Sequence, residues 1–192
     1  LCSLAAYVFT RLEFKGRNIV FILYLSTMMI PITVRLIPSY NLCRNLNMLD
    51  TYMGMILPQV AWSIPFGTFL MRQFYMGIPK QLDEAAKIDG ANHFQIFWKI
   101  LLPNTKSSMA TLGIYTFISA GNTRIWMLLS VRSESKWTVT LGISSICGAS
   151  VIKQPTWNLI MGVIVIGMIP VLILFFAFQK YFMQSVAATG IK

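Results

Sequence analysis

Long uncharged runs of mostly apolar residues alternate along the chain with short polar segments. A bilayer core of about 30 Å needs a helix of roughly 20 apolar residues, because lipid offers the backbone no hydrogen-bond partner. Four runs approach or exceed that length and a shorter one opens the chain: 18–34, 51–71, 107–123, 154–179 and 1–10. The pattern therefore predicts five helices or parts of helices in the membrane, four of them complete and the first only the end of a helix.

Two features refine these runs. The run that starts at residue 107 continues past Arg124 through 125–131, so the predicted helix there is longer than its uncharged part. Prolines fall in or beside several runs, at Pro31, Pro38, Pro58, Pro65 and Pro170. Membrane helices tolerate proline where neighbouring groups satisfy the freed carbonyls, so we expect kinks at these positions and not necessarily ends.

Composition excludes the ordinary soluble classes. The chain is 56% hydrophobic and 11% charged, with a mean hydropathy of +0.64, whereas soluble domains are roughly 45 to 50% apolar and about 25% charged. A disordered chain would need low hydrophobicity. The net charge of +10 would suggest nucleic acid in a soluble protein, but most basic residues lie singly between apolar runs. We therefore expect a lipid bilayer as the surroundings and no nucleic-acid partner.

The basic residues also predict an orientation. If residues 11–17 are cytoplasmic, alternation places 72–106 and the tail from residue 180 on the same side, together with the larger share of the 16 Lys and Arg. That agrees with the excess of positive charge in cytoplasmic loops. It also puts Leu1 on the outer side. We therefore expect the N-terminal part of the intact protein, with one further helix, to be missing from this sequence.

The most informative polar segment is 77–104, which we interpret as two short amphipathic helices separated by a glycine. Pro79 suits a first helical turn, and Asp83 and Glu84 fall early, where the helix dipole favours negative charge. Three small or apolar residues then share one face: Leu82, Ala85 and Ala86. This pattern predicts a first helix that ends at Gly90, which can adopt a positive φ.

The second helix of the segment is predicted to begin at Asn92, which can cap it. Its aromatic and apolar residues recur at helical spacing, at Phe94, Phe97, Trp98 and Leu101, and Pro103 closes the element. A compact hairpin on the cytoplasmic face is suited to docking another protein. An interfacial helix resting on lipid headgroups has the same pattern, and spacing alone leaves both interpretations open.

The segment resembles a known signature. Glu84-Ala85-Ala86, three residues, Gly90, nine residues and then Ile100-x-Leu102-Pro103 match the EAA loop of permease subunits of bacterial ABC importers. The surrounding IPKQLDEAAKIDGA is similar to the carbohydrate branch, the maltose-type, binding-protein-dependent permeases. The likeness extends over essentially all 192 residues.

The resemblance implies an all-α, polytopic helix bundle of the ABC importer permease type, with residues 1–192 in one transmembrane domain in the bacterial cell membrane. Its implied partners are a second permease, two cytoplasmic ABC ATPase subunits and an extracytoplasmic solute-binding protein. The EAA loop at 77–104 would dock the ATPase through eight residues: Glu84, Ala85, Ala86, Asp89, Gly90, Ile100, Leu102 and Pro103. The chain has no G-x-x-x-x-G-K-[ST] loop, so we expect no enzyme activity and no cofactor here, with ATP bound by the partners.

Candidate solute contacts lie in the run from residue 107. Where sugar permeases commonly carry Trp-Asn, an acid or amide and an aromatic, this chain has Gly121-Asn122-Thr123-Arg124. Asn122, Arg124 and Trp126 are candidates for the solute path, because polar groups at membrane depth are costly and often functional. Alternatively Arg124 reaches the outer headgroups, Asn122 pairs with another helix and Trp126 anchors at the interface.

The expected function is permease in an ATP-driven importer of a carbohydrate. An importer of another solute, such as a polyamine or an amino acid, is the alternative. The apolar runs contain no Asp or Glu, which favours a neutral or anionic solute. A membrane enzyme or a channel is a remote alternative, because clustered His, Asp, Glu or Cys and filter-like repeats do not occur in the apolar runs.

Overall fold

The computed structural model describes residues 1–149 and 157–189, with the backbone alone at 146–149, 159 and 180–189. The described residues form helices joined by turns, as the patterning predicted. The helices are α1 Cys2–Arg11, α2 Arg17–Ser26, α3 Ile32–Asn45, α4 Tyr52–Met76, α5 Gln81–Ile88, α6 His93–Ile96, α7 Leu102–Asn104, α8 Lys106–Gly121, α9 Arg124–Ser130, α10 Val139–Ala149 and α11 Trp157–Thr189.

Two described helices are long and apolar enough to cross a membrane, α4 and the Ile160–Gln179 part of α11. A third span results if the pair Arg17–Met29 and Ile32–Asn45 counts as one, although the two parts are bent by 94°. Of the four long runs predicted, two thus form uninterrupted helices, α4 and α11, and the other two are interrupted.

The first break lies at Pro31. Residues 27–29 form a 3₁₀ turn after α2, Ile30 is extended, and Pro31 adopts φ −56° and ψ 143° before α3 begins. Proline has no N–H to continue a helical ladder and forces the preceding residue out of the helical region. The other four prolines at which we expect kinks lie inside helices: Pro38 in α3, Pro58 and Pro65 in α4, and Pro170 in α11. The expectation that proline need not end a helix is confirmed at these four positions.

The second break interrupts the predicted helix that begins near residue 107. Helix α8 ends at Gly121 and α9 begins at Arg124. Thr123 between them has φ −80° and ψ 68°, and Thr140 Oγ1 donates to the freed Gly121 carbonyl at 2.5 Å. The continuous helix expected through Arg124 is therefore wrong, because Asn122 and Thr123 leave the helical conformation.

By contacts the chain divides into two compact units. Unit 1 contains Leu1–Ile30, Ala61–Gly113 and the residues from Gln179, and unit 2 contains Pro31–Val60 and Ile114–Phe178. The buried core of unit 1 consists of Ala6, Tyr7, Met71, Tyr75, Ala86, Ile96, Phe97 and Leu101. It joins α1, the end of α4 and the 77–104 segment, so that segment is packed against two helices.

Unit 2 packs closely around Trp126. This indole has no exposed surface, and its Nε1 donates to Gly54 O at 3.2 Å. A Cβ on Gly54 would lie 2.1 Å from Met48 O, a distance that no real side chain adopts. Glycine therefore allows the Met48 carbonyl to lie against the first turn of α4.

Candidate functional site

The 77–104 segment is a helical hairpin, as predicted. Its first helix, α5, has Lys80 as N-cap and begins at Gln81. Pro79 lies one residue before the cap, and its carbonyl accepts from Leu82 N at 3.4 Å. The proline was expected in the first turn. It instead precedes the helix, where its missing N–H leaves no helical bond unmade.

The turn between the two helices depends on Gly90. Its φ is +80°, in the left-handed region, as predicted. Ala91 N donates to Ala86 O at 2.9 Å and Gly90 N to Lys87 O at 3.0 Å, the two bonds of a Schellman helix end. A Cβ at Gly90 would meet nothing within 4 Å. Glycine is therefore required here because it adopts a left-handed backbone conformation, and not because a larger side chain would lack room.

Asn92 caps the second helix, as predicted. Its Oδ1 accepts from Gln95 N at 2.8 Å, while Gln95 Oε1 accepts from Asn92 N at 2.9 Å. This reciprocal capping box satisfies two N–H groups at a helix start. The Gly90 turn and this capping box thus define the end of the first helix and the start of the second through contacts between neighbouring residues.

The second helix contains a π turn. An α-helical start, His93–Ile96, continues into a π-helical stretch, Phe97–Leu101, and then into Leu102–Asn104. A π turn closes i→i+5 hydrogen bonds and widens the helix locally. Side chains beyond it therefore no longer follow the spacing that the sequence pattern assumes.

The four residues predicted to form one stripe lie on two different sides of the second helix. Phe97 and Leu101 are buried in the core of unit 1. Phe94 and Trp98 are 66% and 51% exposed, with ring centroids 6.0 Å apart. Ile88 on α5 is 87% exposed. The hairpin therefore presents an apolar outer surface of Ile88, Phe94 and Trp98, which the sequence pattern had placed partly inside.

The eight predicted docking residues separate in the same way. Five are exposed: Glu84, Ala85, Asp89, Gly90 and Pro103. Ala86 is buried in the core, and Ile100 and Leu102 pack partly buried against it. The first group lies where a partner could reach it. The second holds the hairpin in place.

An ion pair at the base of the hairpin was missed by sequence reasoning. Arg11 Nε, at the end of α1, lies 2.8 Å from Asp83 Oδ2 of α5, with the two side chains 5% and 11% exposed. Arg11 Nη2 also donates to Ile78 O at 2.9 Å. Asp83 had been interpreted only as a favourable charge near a helix start. Nothing in the pattern pairs it with a residue so distant in sequence.

Helix α1 contacts the second helix of the hairpin as well. Tyr7 Oη lies 3.0 Å from His93 Nδ1, and the Tyr7 and Phe97 rings meet edge to face with centroids 5.6 Å apart. His93 is exposed yet takes part in this contact. Both helices of the hairpin are thus joined to α1.

The candidate solute-path residues lie at the α8–α9 break of unit 2. Asn122 and Arg124 are exposed, whereas Trp126 is fully buried and bonded to Gly54 O. In this conformation the Trp126 indole has no surface for a solute. Asn122 lies in the non-helical segment between α8 and α9, and Arg124 is the first residue of α9.

A second carboxylate, Asp50, organises a turn of unit 2 that the sequence did not single out. Its Oδ1 accepts from Arg132 N and Ser133 N at 3.1 and 3.0 Å, and its Oδ2 accepts from Ser133 Oγ at 2.5 Å. Lys136 Nζ donates to the Asp50 carbonyl. These bonds, the Ser133 hydroxyl foremost, hold the pKa of Asp50 well below its usual range.

Comparison with known proteins identifies the family. The profile of the binding-protein-dependent transport system inner membrane component matches residues 2–188. The chain belongs to this family. The match covers both compact units and the hairpin, so the resemblance seen in the 77–104 segment extends through the whole chain.

Two relatives illustrate the likeness. The sn-glycerol-3-phosphate transport system permease protein UgpE of Yersinia enterocolitica is 38% identical over 183 residues, which are 95% of this chain and 64% of the relative. The arabinooligosaccharides transport system permease protein AraQ of Bacillus subtilis is 33% identical over 190 residues, which are 99% of this chain and 66% of the relative. This chain thus spans slightly less than two thirds of either relative's length.

Among solved structures, a bacterial ABC transporter involved in the import of the acidic polysaccharide alginate contains a similar chain. It is 27% identical, with a TM-score of 0.72 over 94% of this chain and 69% of that chain. The predicted family, the all-α membrane fold and the inner-membrane location are confirmed. The relatives are permeases, in agreement with the prediction that the chain is not an enzyme.

Proposed function

We propose that this chain is the membrane-spanning permease subunit of an ATP-driven importer for a carbohydrate or a similar polyhydroxylated solute. Its partners are a second permease, two cytoplasmic ABC ATPase subunits and an extracytoplasmic solute-binding protein. The family description supports a binding-protein-dependent transporter. The names of the two permease relatives, for glycerol-3-phosphate and for arabinooligosaccharides, support the solute class.

The observation that carries the proposal is the hairpin's division into two faces. Its inner face packs into the core of unit 1, while Ile88, Phe94 and Trp98 remain exposed, as do Glu84 and Ala85. Exposed aromatic residues that protrude from a rigid element are typical anchors of protein interfaces. We assign this outer surface to the ATPase contact, together with Glu84, Ala85, Asp89, Gly90 and Pro103.

The mechanism follows from rigidity. Closure of the ATPase subunits on ATP displaces the docked hairpin, and the attached helices change between inward-facing and outward-facing arrangements as rigid bodies. This chain supplies no phosphate-binding loop of its own. The free energy therefore comes from the partner, and the hairpin transmits it.

For the solute path we propose Asn122 and Arg124 at the α8–α9 break. An amide can bond to hydroxyl groups, and a guanidinium favours a neutral or anionic solute over a cationic one. The acid-free apolar runs agree with this choice and disfavour the polyamine alternative. Trp126 lies in α9 just after the break, and we assign it the structural role of holding α9 in place through its bond to Gly54 O.

The test uses the complete importer in proteoliposomes. Ala85→Cys should form a crosslink to the ATPase subunit, because residue 85 is exposed on the outer surface. Lys15→Cys, exposed on a different predicted cytoplasmic turn, serves as the matched control. Glu84→Lys should leave membrane insertion intact and uncouple ATP hydrolysis from solute uptake. Absence of the Ala85 crosslink at every stage of the cycle, or normal uptake by Glu84→Lys, would refute the docking role.

A further inference from the structure

We propose that Arg11 is the positioning residue through which movement of the hairpin reaches α1. The inference rests on the proposed function, because it assumes that a partner pushes the hairpin. It assigns a role to a side chain that is not among the proposed docking residues.

One guanidinium group joins two parts of the segment. Arg11 Nε pairs with Asp83 of α5 at 2.8 Å, and Arg11 Nη2 bonds to Ile78 O, in the link between α4 and α5, at 2.9 Å. The Nη2 bond to Ile78 O is a directional hydrogen bond, whereas Arg11 Nε forms no hydrogen bond within the part of the chain that the structure describes and holds the Asp83 carboxylate by charge. Helix α5 therefore cannot turn or slide against the end of α1 without breaking at least one of these contacts.

The same face of α1 holds the second helix. Tyr7 and Arg11 are four residues apart, so their side chains lie on one side of α1. Tyr7 contacts His93 and Phe97, while Arg11 contacts Asp83. Two adjacent side chains thus attach α1 to both arms of the hairpin, and the arms and α1 must move together.

Because the Arg11–Asp83 ion pair is buried, it makes the connection between α1 and α5 stiffer than an apolar contact would. Apolar burial is non-directional, so packed side chains can slide while the buried area is kept. A buried ion pair cannot, because separating its charges leaves each uncompensated away from water. Asp83 Oδ1 has no hydrogen-bond partner among the described residues. Arg11 is therefore the group that compensates the Asp83 carboxylate.

The experiment measures solute taken up per ATP hydrolysed by the complete importer. Arg11→Gln should lower this ratio about tenfold, within the range typical of coupling between two sites. Arg11→Lys should give an intermediate ratio, because an ammonium can pair with Asp83 but cannot also keep the bond to Ile78 O. Exchange of the charges, Arg11→Asp with Asp83→Arg, should recover part of the loss. Lys15→Met, which removes an exposed cation from the adjacent turn, is the matched control.

Each outcome decides the question. An unchanged ratio in Arg11→Gln overturns the inference, and so does a complex that fails to assemble in both Arg11→Gln and Arg11→Lys, since the pair would then serve folding alone. The Ala85→Cys crosslink, formed in the Arg11→Gln background, separates this inference from the proposed function. A normal crosslink together with less solute taken up per ATP supports the role of Arg11 between α1 and the hairpin. Absence of the Ala85→Cys crosslink when Arg11 is intact refutes the docking role itself.

Discussion

Two carboxylates, one in each compact unit, organise their surroundings in different ways. Asp83 pairs with Arg11 where the side chains are 5% and 11% exposed. Asp50 lies 3.6 Å from Lys136 Nζ where both side chains are 28% exposed, and its strongest contacts are to Ser133 and the backbone. The first carboxylate depends on one cation. The second is held mainly by hydrogen bonds from a loop.

The difference teaches that an ion pair must be judged by its surroundings. Water screens an exposed pair, and such pairs contribute little to stability. A buried pair costs much to form and much more to break at one end. We therefore expect substitutions at Asp83 to affect the hairpin strongly and substitutions at Asp50 to affect only its own turn.

The turns also differ in their left-handed residues. The hairpin uses Gly90 at φ +80°, whereas the turn before α4 uses Asn47 at φ 54° and Asp50 at φ 56°. Asn and Asp are the side chains that adopt this region most readily after glycine, because they can bond to nearby backbone. This contrast suggests a conservative substitution at Gly90 that keeps its conformation.

The largest effect is expected for Asp83→Ala. The substitution leaves Arg11 buried without its carboxylate, which should cost about 3–5 kcal/mol of stability. Denaturant unfolding of the detergent-solubilised importer measures it. Glu84→Gln removes the neighbouring acid, which is exposed, and should cost far less. Equal losses in the two variants would erase the distinction between buried and exposed carboxylates.

A smaller effect is expected at Gly90. Gly90→Val forces a branched side chain into the left-handed region, at a cost of about 1–2 kcal/mol, and should lower uptake per ATP. Gly90→Asn tolerates this conformation, and a Cβ meets nothing within 4 Å there, so Gly90→Asn should retain coupling. If both variants uncouple transport alike, side-chain volume and not backbone conformation is what matters at the turn.

Asn92→Ala should cost about 1 kcal/mol, the usual loss for a removed N-cap. Hydrogen exchange of the amides at the start of α6 should accelerate, since Gln95 N loses its acceptor. Asn92→Asp keeps an oxygen in place and should leave that exchange slow. Unaltered protection in Asn92→Ala would mean that the contacts to Tyr7, and not the cap, hold this arm.

The smallest effect is a pH dependence of the Asp50 turn. Because its pKa is lowered in the folded state, the carboxylate contributes stability above the unfolded pKa of about 4, and that contribution disappears as pH falls through the lower folded pKa. Thermal unfolding at pH 7 and near pH 3 should therefore differ more for the wild type than for Asp50→Asn. Glu134→Gln, in the same loop, is the control. A parallel acid response of wild type and Asp50→Asn would contradict this assignment.

Local features of the fold could be predicted from neighbouring residues. The left-handed Gly90, the Asn92 cap and the position of the hairpin each depend on contacts within a few residues, and the structure has them where expected. The long apolar helices α4 and α11 follow from run length and hydropathy. Such features depend on short-range sterics and on the solvent, so they can be predicted from one sequence.

The features that escaped prediction all require distant partners. The break between α8 and α9 is supported by Thr140. The exposure of Phe94 and Trp98 follows from which side of the second helix packs into the core, since Ile96, Phe97 and Leu101 are buried there. A spacing pattern shows that side chains recur along a helix, but it does not show which of them meet another helix.

By itself the sequence determined the class of protein, its apolar helices and the chemistry offered by the hairpin, because hydropathy, backbone preferences and a spaced signature are all local. Only the tertiary structure decided which hairpin residues face outward and that Arg11 meets Asp83. Pair contacts between residues far apart depend on how whole helices pack, and a packing arrangement satisfies all its contacts at once. No short stretch of chain specifies it.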